Sequence, residues 1–530
     1  MIKTDIFLPI KYTETDIKCA ICERLPVRLD EIREIEIVRK SIDLTEKPNI
    51  RYRITVGFSL SEDRENGLLK MKKKVSKRED YSFDVPVSKL SSRPVVVGSG
   101  PCGLFAALLL SESGNAPIVI ERGLPVEERA KKVDSFRKFG ILDTECNVQF
   151  GEGGAGTYSD GKLKVGSYDK YKMKVLREFI NAGADSDILY SASAHLGTDK
   201  LSDIVKNIRN RIISLGGEFI YSAKLSDLFI RDGRVMGIAY EKNGAVEKID
   251  TESVILAIGH SAKDSFEMLF SKGIPMAAKG FGIGVRIEHN REYVNSLVYG
   301  NGYDTSLETA SYHLVTHLKN GRSVYSFCMC PGGTVVPAAS EKGGIVTNGM
   351  SEYLRDGENS NAAFLVSVTP SDFGSEHALA GMEFQRQIER RAFAAGGSDY
   401  KAPVIRMEDF LKNNAPSAPQ SVLPTYPIGT RLVSTEEYLP DFITTSLRQS
   451  ISDFDDWMGG FYYPDAIITG SETRSTSPVR ILRSESYEAE GVSGLYPAGE
   501  GAGYSGGIVS SATDGLRVAE ALLCLKSTKS

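Results

Sequence analysis

The chain of 530 residues is long enough for roughly three or four domains at about 150 residues each, or for two with one large and interrupted. Its 41% hydrophobic and 25% charged residues are ordinary for a globular protein, and a net charge of −5 gives no bulk attraction to nucleic acid or to a membrane surface. No apolar run is long enough to span a bilayer, the first residues lack a secretory core, and seven cysteines at irregular spacing do not make a disulfide framework, so a cytoplasmic location without membrane contact is expected.

Residues 1–90 are expected to form a small α+β module of β-α-β-β order. "DIFLPI" alternates as a strand does, "TETDIKCAICERL" reads as a helix capped near Thr13 or Thr15, and "IREIEIVRKSIDL" and "NIRYRITVGFSL" are further strands. Cys19 and Cys22 form a C-x-x-C inside the helix with no second pair, so no metal is expected. "KMKKKVSKRED" then reads as a solvated linker. Its alternative role is an RNA contact through Lys72, Lys73 and Lys74, which the overall acidity disfavours. Docking or dimerisation is the expected duty of the module.

Residues 91–279 open a different architecture. In "RPVVVGSGPCGLFAALLLSESG" a buried strand meets a G-x-G-x-x-G turn and passes straight into a helix, and "APIVIERG" supplies the second strand of a parallel β-α-β unit. Gly98 allows the tight turn, Gly100 lets a pyrophosphate approach the backbone, and Gly103 lets the helix pack on the strand. Glu121 closes the second strand, where a carboxylate takes ribose hydroxyls. Cys102, within the turn, is expected to pack. This combination points to dinucleotide binding. Farther on, "GAGTYSDGKL" carries Thr157, Ser159, Asp160 and Lys162 within six residues, "TDKLSDIVKNIRNRIISLGG" is a long amphipathic helix, and "SVILAIGHSA" is a buried strand ending near Ala257 and turning at Gly259.

Residues 280–464 mix strands ("FGIGVRI", "RSVYSFCMC", "AAFLVSV") with helices ("HALAGMEFQRQIERRAFAAGG", "DFITTSLRQSISDFDDWMGGF") and are expected to be an inserted mixed α+β domain on the substrate side. Residues 465–530 return to the first architecture. "LYPAGEGAGYSGGIVSSATDGLRVAE" is strand, glycine cluster and helix, with Glu500 placed to bond a sugar-chain hydroxyl and a helix start near Ile508 placed to stabilise negative charge. Three separated glycine turns fit a long cofactor with a distant ring, a flavin. On this reading Gly499, Gly501, Gly503, Gly506 and Gly507 are glycines because the cofactor leaves no room for side chains.

These stretches, together with "NVQFGEGGAGTYSDGKL", "VILAIGHSAKDSF", "GIGVRIEH", "SFCMCPGG", "NGMS" and "ETRSTSPVRI", are similar to flavoproteins of the glutathione-reductase superfamily, in the branch that includes para-hydroxybenzoate hydroxylase. More closely, the chain resembles a bacterial family of uncharacterised FAD-dependent dehydrogenases, from about residue 95 to the end. One departure is Glu500, where much of the superfamily has Asp. The resemblance implies a Rossmann-like FAD-binding domain and FAD held without a covalent link. It places Gly98, Gly100, Gly103, Glu121 and Arg122 at the adenine half, with Pro101 and Cys102 in the same turn. It places Gly153, Gly154, Gly156 and Thr157 at the pyrophosphate and flavin approach, and Gly499, Glu500, Gly507 and Ile508 at the ribityl and pyrimidine side.

The chemistry expected is passage of a hydride through FAD to a small-molecule substrate, with NAD(P)H as a transient co-substrate because no second complete G-x-G-x-x-G domain is present. A flavin monooxygenase of the aromatic-hydroxylase type and an RNA-associated flavoprotein are the alternatives. Lys162, Arg474 and His260 are the candidate catalytic residues. Arg474 clamps an anion or the flavin carbonyl, or else pairs internally with Glu472, as Arg480 also could. His195 and His289 are further histidines to place. Cys328 and Cys330, two apart on a strand, share one face as a redox pair or as buried small residues.

Overall fold

Valines 95–97 show how the sequence builds the central sheet. Val95 and Val97 face one core and Val96 the other, the alternation of a strand buried on both faces. The structure, a computed structural model, describes residues 1–47, 49–71, 74–163 and 168–527. The strand Val95–Val97 lies at the middle of a five-stranded sheet in the order Leu495–Pro497, Val254–Leu256, Val95–Val97, Ile118–Glu121, Glu218–Tyr221. Every pairing in it is parallel. One face carries the helices Pro101–Glu112, Lys170–Asn181, Gly197–Ser214 and Ile508–Ser527. The other carries the antiparallel meander Lys224–Arg231, Arg234–Lys242, Ala245–Asp250. This is a Rossmann-like α/β architecture of three layers, assembled from two stretches of the chain, residues 95–256 and 495–527.

Between them sits a second domain on a seven-stranded sheet in the order Val315–His317, Ser323–Cys330, Asn359–Val368, Phe281–Asn290, Ile467–Glu472, Ala402–Arg406, Thr430–Leu432. Helix Asp441–Met458 packs on the strands Asn359–Val368 and Phe281–Asn290, and helix Ala380–Ala395 joins the same core. The strand Ile467–Glu472, which lies past the expected division at 464, hydrogen-bonds within this sheet.

The N-terminal residues form a four-stranded sheet in the order Ile35–Asp43, Arg51–Phe58, Ile2–Pro9, Ser76–Lys77. Helix Glu14–Arg24 starts at Thr13, whose side chain and Asp16 cap each other's backbone, so two otherwise unpaired N–H groups are satisfied. The module is tied to the main body through Lys40, which exchanges backbone hydrogen bonds with Tyr190 and Ala192. Lys72 and Lys73 lie outside the described residues, whereas Lys74 is exposed with its Nζ 3.5 Å from the Arg24 carbonyl. Among the described residues no helix is long and apolar enough to cross a membrane.

Candidate functional site

The two glycine turns meet face to face. A side chain at Gly154 would bring its Cβ to 3.0 Å from the Gly100 Cα, and one at Gly98, where φ is +100°, to 2.4 Å from the Ala257 carbonyl. Gly103 is closer still, its hypothetical Cβ 1.9 Å from the Gly98 oxygen, which is the helix-on-strand contact its spacing predicts. These approaches open a cavity of about 450 Å³ at the C-terminal ends of the parallel strands, where open α/β sheets bind ligands. Its floor is the Rossmann-like layer and its far wall belongs to the inserted domain.

Two helices begin at the cavity. Pro101–Glu112 starts after Gly100 with no side-chain cap, and Ile508–Ser527 starts directly after Gly506 and Gly507. Unpaired N–H groups and the positive ends of both dipoles therefore face one space, a setting for anionic ligand groups. Gly98, Gly100, Pro101 and Cys102 line it, as do Glu121 and Arg122 at the next strand. Gly154, Gly156, Ser159, Asp160 and Lys162 contribute from the second glycine loop. Ala257, Gly259 and His260 contribute from the third turn, and Arg474, Glu500, Gly506, Gly507 and Ile508 from the last segments. Gly103, Gly153, Thr157 and Gly499 do not line it, and neither do Gly501 and Gly503. Gly103 and Gly499 are spent on protein packing, Gly499 because a Cβ there would stand 2.8 Å from Cys102. Gly153 and Thr157 pack on each other, with room at Gly153 taken by the Thr157 hydroxyl.

The C-terminal glycine cluster has a different cause from the one its density implies. Side chains at Gly494, Gly501 and Gly503 would strike the carbonyls of Glu252, Gly259 and Val479 at 2.3, 2.5 and 2.8 Å, so these glycines let backbone pass backbone. Among the described residues Gly506 meets nothing within 4 Å and Gly507 meets Ser510 at 3.8 Å. Those two are the glycines left open to a ligand.

Glu121 organises the turns. Its carboxylate accepts the N–H and hydroxyl of Ser99 on one oxygen and the N–H groups of Gly123 and Gly151 on the other. All four lone-pair sites are in use, so a ribose hydroxyl would have to share them. Arg122 is held by Glu145 and Asp264 and lies over Phe150, its centre 4.0 Å from the ring centroid. Asp160 forms a buried two-point ion pair with Arg355, with Nε 2.8 Å from Oδ1. Lys162 donates to the Met329 carbonyl, and its ammonium stands 4.0 Å from Asp160.

Arg474 does not pair with Glu472. Its guanidinium binds both oxygens of Glu389 at 3.0 and 2.9 Å and reaches Ser261 with Nη1. Glu472 instead pairs with Arg286, both buried, and Arg480 reaches the Gly503 carbonyl. Burial pushes the Glu389 carboxyl up, but Arg474 and Lys263 outweigh it and hold it well below the usual range. Arg474 is thus a fixed cation with one edge on the cavity, not a mobile clamp. Each partner lies far away in sequence, which is why the spacing of "SETRSTSPVR" did not disclose it.

His260 faces Glu500, with Nδ1 3.6 Å from Oε1, and its Nε2 is buried without a partner among the described residues. That orphaned nitrogen on the cavity wall is an observation in favour of a bound group. His195 and His289 have structural duties: His195 Nε2 lies 2.9 Å from the Tyr353 carbonyl and His289 Nε2 2.9 Å from that of Phe461. Burial pushes His289 down to about 4. The inserted domain adds wall residues that had been given no role, namely His313, Phe327 of "SFCMCPGG" and Asn348 of "NGMS", together with Cys328. Among the described residues no cluster of His, Cys, Asp and Glu could hold a metal ion.

The residues fit a flavin dinucleotide: two helix starts for its diphosphate and its electron-rich ring edge, open glycines at 506 and 507, and the His260 nitrogen that has no partner among the described residues. Residues 280–475 match the family described as FAD-dependent protein, C-terminal domain-like. An uncharacterized protein of Clostridium beijerinckii is 44% identical over 508 residues, which cover 95% of each chain. Among solved structures, an E. coli quinol fumarate reductase chain is similar at a TM-score of 0.38 and 12% identity over 84% of this chain and 72% of its own. A geranylgeranyl bacteriochlorophyll reductase-like protein from Thermoplasma acidophilum is similar at 0.38 and 11% over 83% and 80%. Both structural likenesses are distant. The chain belongs to one family with the Clostridium beijerinckii protein, and its inserted domain is similar to the FAD-dependent protein C-terminal domain-like family.

Proposed function

We propose that the protein is an FAD-dependent oxidoreductase that passes a hydride between a nicotinamide donor and a small-molecule substrate. The observation that carries this reading is one shared cavity at which two helices begin and two facing glycine turns oppose a polar wall from the inserted domain. When bound, FAD supplies a two-electron acceptor and donor. The N–H groups at the starts of helices Pro101–Glu112 and Ile508–Ser527 hold the anionic parts of the cofactor. Glu121 keeps the turns in register from behind, and Arg122, fixed by two carboxylates, walls that end of the cavity. The inserted domain closes the other side and excludes water.

Proton handling falls to the groups on the wall. His260, facing Glu500, can give or take a proton at Nε2, and Lys162 presents a cation to the same cavity. Arg474, held by Glu389, fixes positive charge where a substrate carboxylate or a reduced ring needs it. The test is anaerobic addition of NADH or NADPH to the flavin-loaded chain. Loss of the visible flavin bands within seconds supports the reading; bands that persist with both would remove the nicotinamide donor from it.

A further inference from the structure

The strand Ser323–Cys330 breaks register where it reaches the cavity. Phe327 pairs with Ala363 and Cys330 with Asn361, so three steps on one strand oppose two on the other. The extra residue is a β-bulge, the device by which sheets re-aim a side chain beside a site. Cys328 lies in it with φ at +40°, a conformation that few residues other than glycine adopt. The bulge turns Cys328 onto the cavity wall, while Cys330, fully buried, stays behind it with its thiol 3.4 Å from the Cys328 carbonyl.

The surroundings are not those of a small hydrophobe. Arg286, fully buried, donates to the Cys328 carbonyl at 3.1 Å, and Lys162 donates to the next carbonyl, that of Met329. Gly349 makes room for the pair. A Cβ there would lie 2.4 Å from Arg286 Nη1 and 2.8 Å from Cys330 Sγ. Asp160 and Glu472 are carboxylates on this cavity wall, and each is bound to its own arginine. A hydrogen bond from the Cys330 thiol, aided by Arg286 and Lys162, holds the Cys328 thiol below its ordinary range against the opposing effect of burial. Cys330 is pushed the other way, first by the same hydrogen bond and then by burial.

We propose that Cys328 and Cys330 are a dithiol–disulfide couple on the cavity wall, Cys328 meeting the reactant and Cys330 closing the bond behind it. The flavin as the partner of this couple rests on the oxidoreductase reading above; the couple itself does not. Starting from one thiolate and one thiol, an S–S bond forms while two electrons and the Cys330 proton leave, and all three pass to an oxidised flavin ring in the cavity. In the reverse sense the same two electrons and one proton open the disulfide. A disulfide substrate, or a thiol one, is the class of reactant that such a pair would exchange with across the cavity.

The test uses the full chain, with its flavin content read in parallel. Under a mild thiol oxidant, the peptide carrying both cysteines loses the mass of two hydrogens, and Cys328→Ser and Cys330→Ser each abolish the loss. In the reduced chain at pH 7, iodoacetamide modifies Cys328 at least tenfold faster than the exposed Cys524, mapped by mass spectrometry. If Cys328→Ser fails to fold, the wild-type alkylation rates and Cys330→Ser still decide the matter. Two intact thiols under oxidant, or a Cys328 no faster than Cys524, overturns the couple whatever the flavin content. A colourless chain that forms the disulfide keeps the couple and removes the flavin from it.

Discussion

The backbone N–H of Gly151 donates to Glu121 Oε1 at 3.0 Å, while the other oxygen of the same carboxylate takes the Ser99 N–H at 2.9 Å. One side chain thus joins the first glycine turn, the end of the second strand and the loop leading to the second glycine turn. Glu121→Gln turns one acceptor oxygen into a donor and leaves two buried donors facing it. The expected loss is about 2–4 kcal/mol of stability in urea unfolding, with weakened retention of FAD. An unchanged midpoint would show that these bonds do not set the turn.

The C-terminal glycines divide into two groups that substitution separates. Gly501→Ala drives a Cβ to 2.5 Å from the Gly259 carbonyl and should lower the melting temperature. Gly506→Ala meets no atom of the described residues within 4 Å, so the melting temperature of the flavin-free chain should stay within about 2 °C, corresponding to a surface-like change below about 0.5 kcal/mol. FAD affinity should nevertheless fall in Gly506→Ala. Equal thermal loss in both variants would refute the division.

Asp160 and Arg355 are nearly sealed from solvent, with side-chain exposures of 1% and 4%. Removing one partner strands a buried charge, so Arg355→Met should cost about 3–5 kcal/mol. The double variant Asp160→Leu with Arg355→Met should recover much of that loss, because a buried ion pair and a packed apolar pair are close in energy. A double-mutant cycle in urea measures both.

Glu389 gives the pH dependence. Its folded-state pKa lies below that of an unfolded glutamate, about 4.3, because Arg474 and Lys263 outweigh burial. The unfolded chain therefore binds the proton first. The stabilisation is fully present above about pH 4.3 and is lost as pH falls toward the folded value. Glu389→Gln should be about 3 kcal/mol less stable than the natural chain at pH 7. The gap should narrow below about pH 4; one that is constant from pH 7 to pH 3 would contradict the linkage.

Local features were legible in the sequence and distant pairings were not. The G-x-G-x-x-G at Gly98, Gly100 and Gly103 and the strand-ending Glu121 follow from steric needs within some two dozen residues, and the strands and helices around them were equally readable from periodicity. Arg474 with Glu389, by contrast, and Arg286 with Glu472 are set by the topology of the seven-stranded sheet, across 85 and 186 residues. The bulge at Cys328 depends on a register shift against a strand that begins thirty-one residues later, so alternation alone predicted the shared face of the two thiols without the turn that exposes one of them. The glycines near the C-terminus show the same limit. Their density announced a close approach, but only the assembled fold reveals that carbonyls fill most of the space.

The most direct measurement is the visible spectrum of the purified chain after incubation with FAD and removal of the unbound cofactor. Flavin bands at one FAD per chain, diminished in Gly506→Ala without loss of fold, are the expected result. A folded chain that remains colourless would contradict the assignment of the cavity.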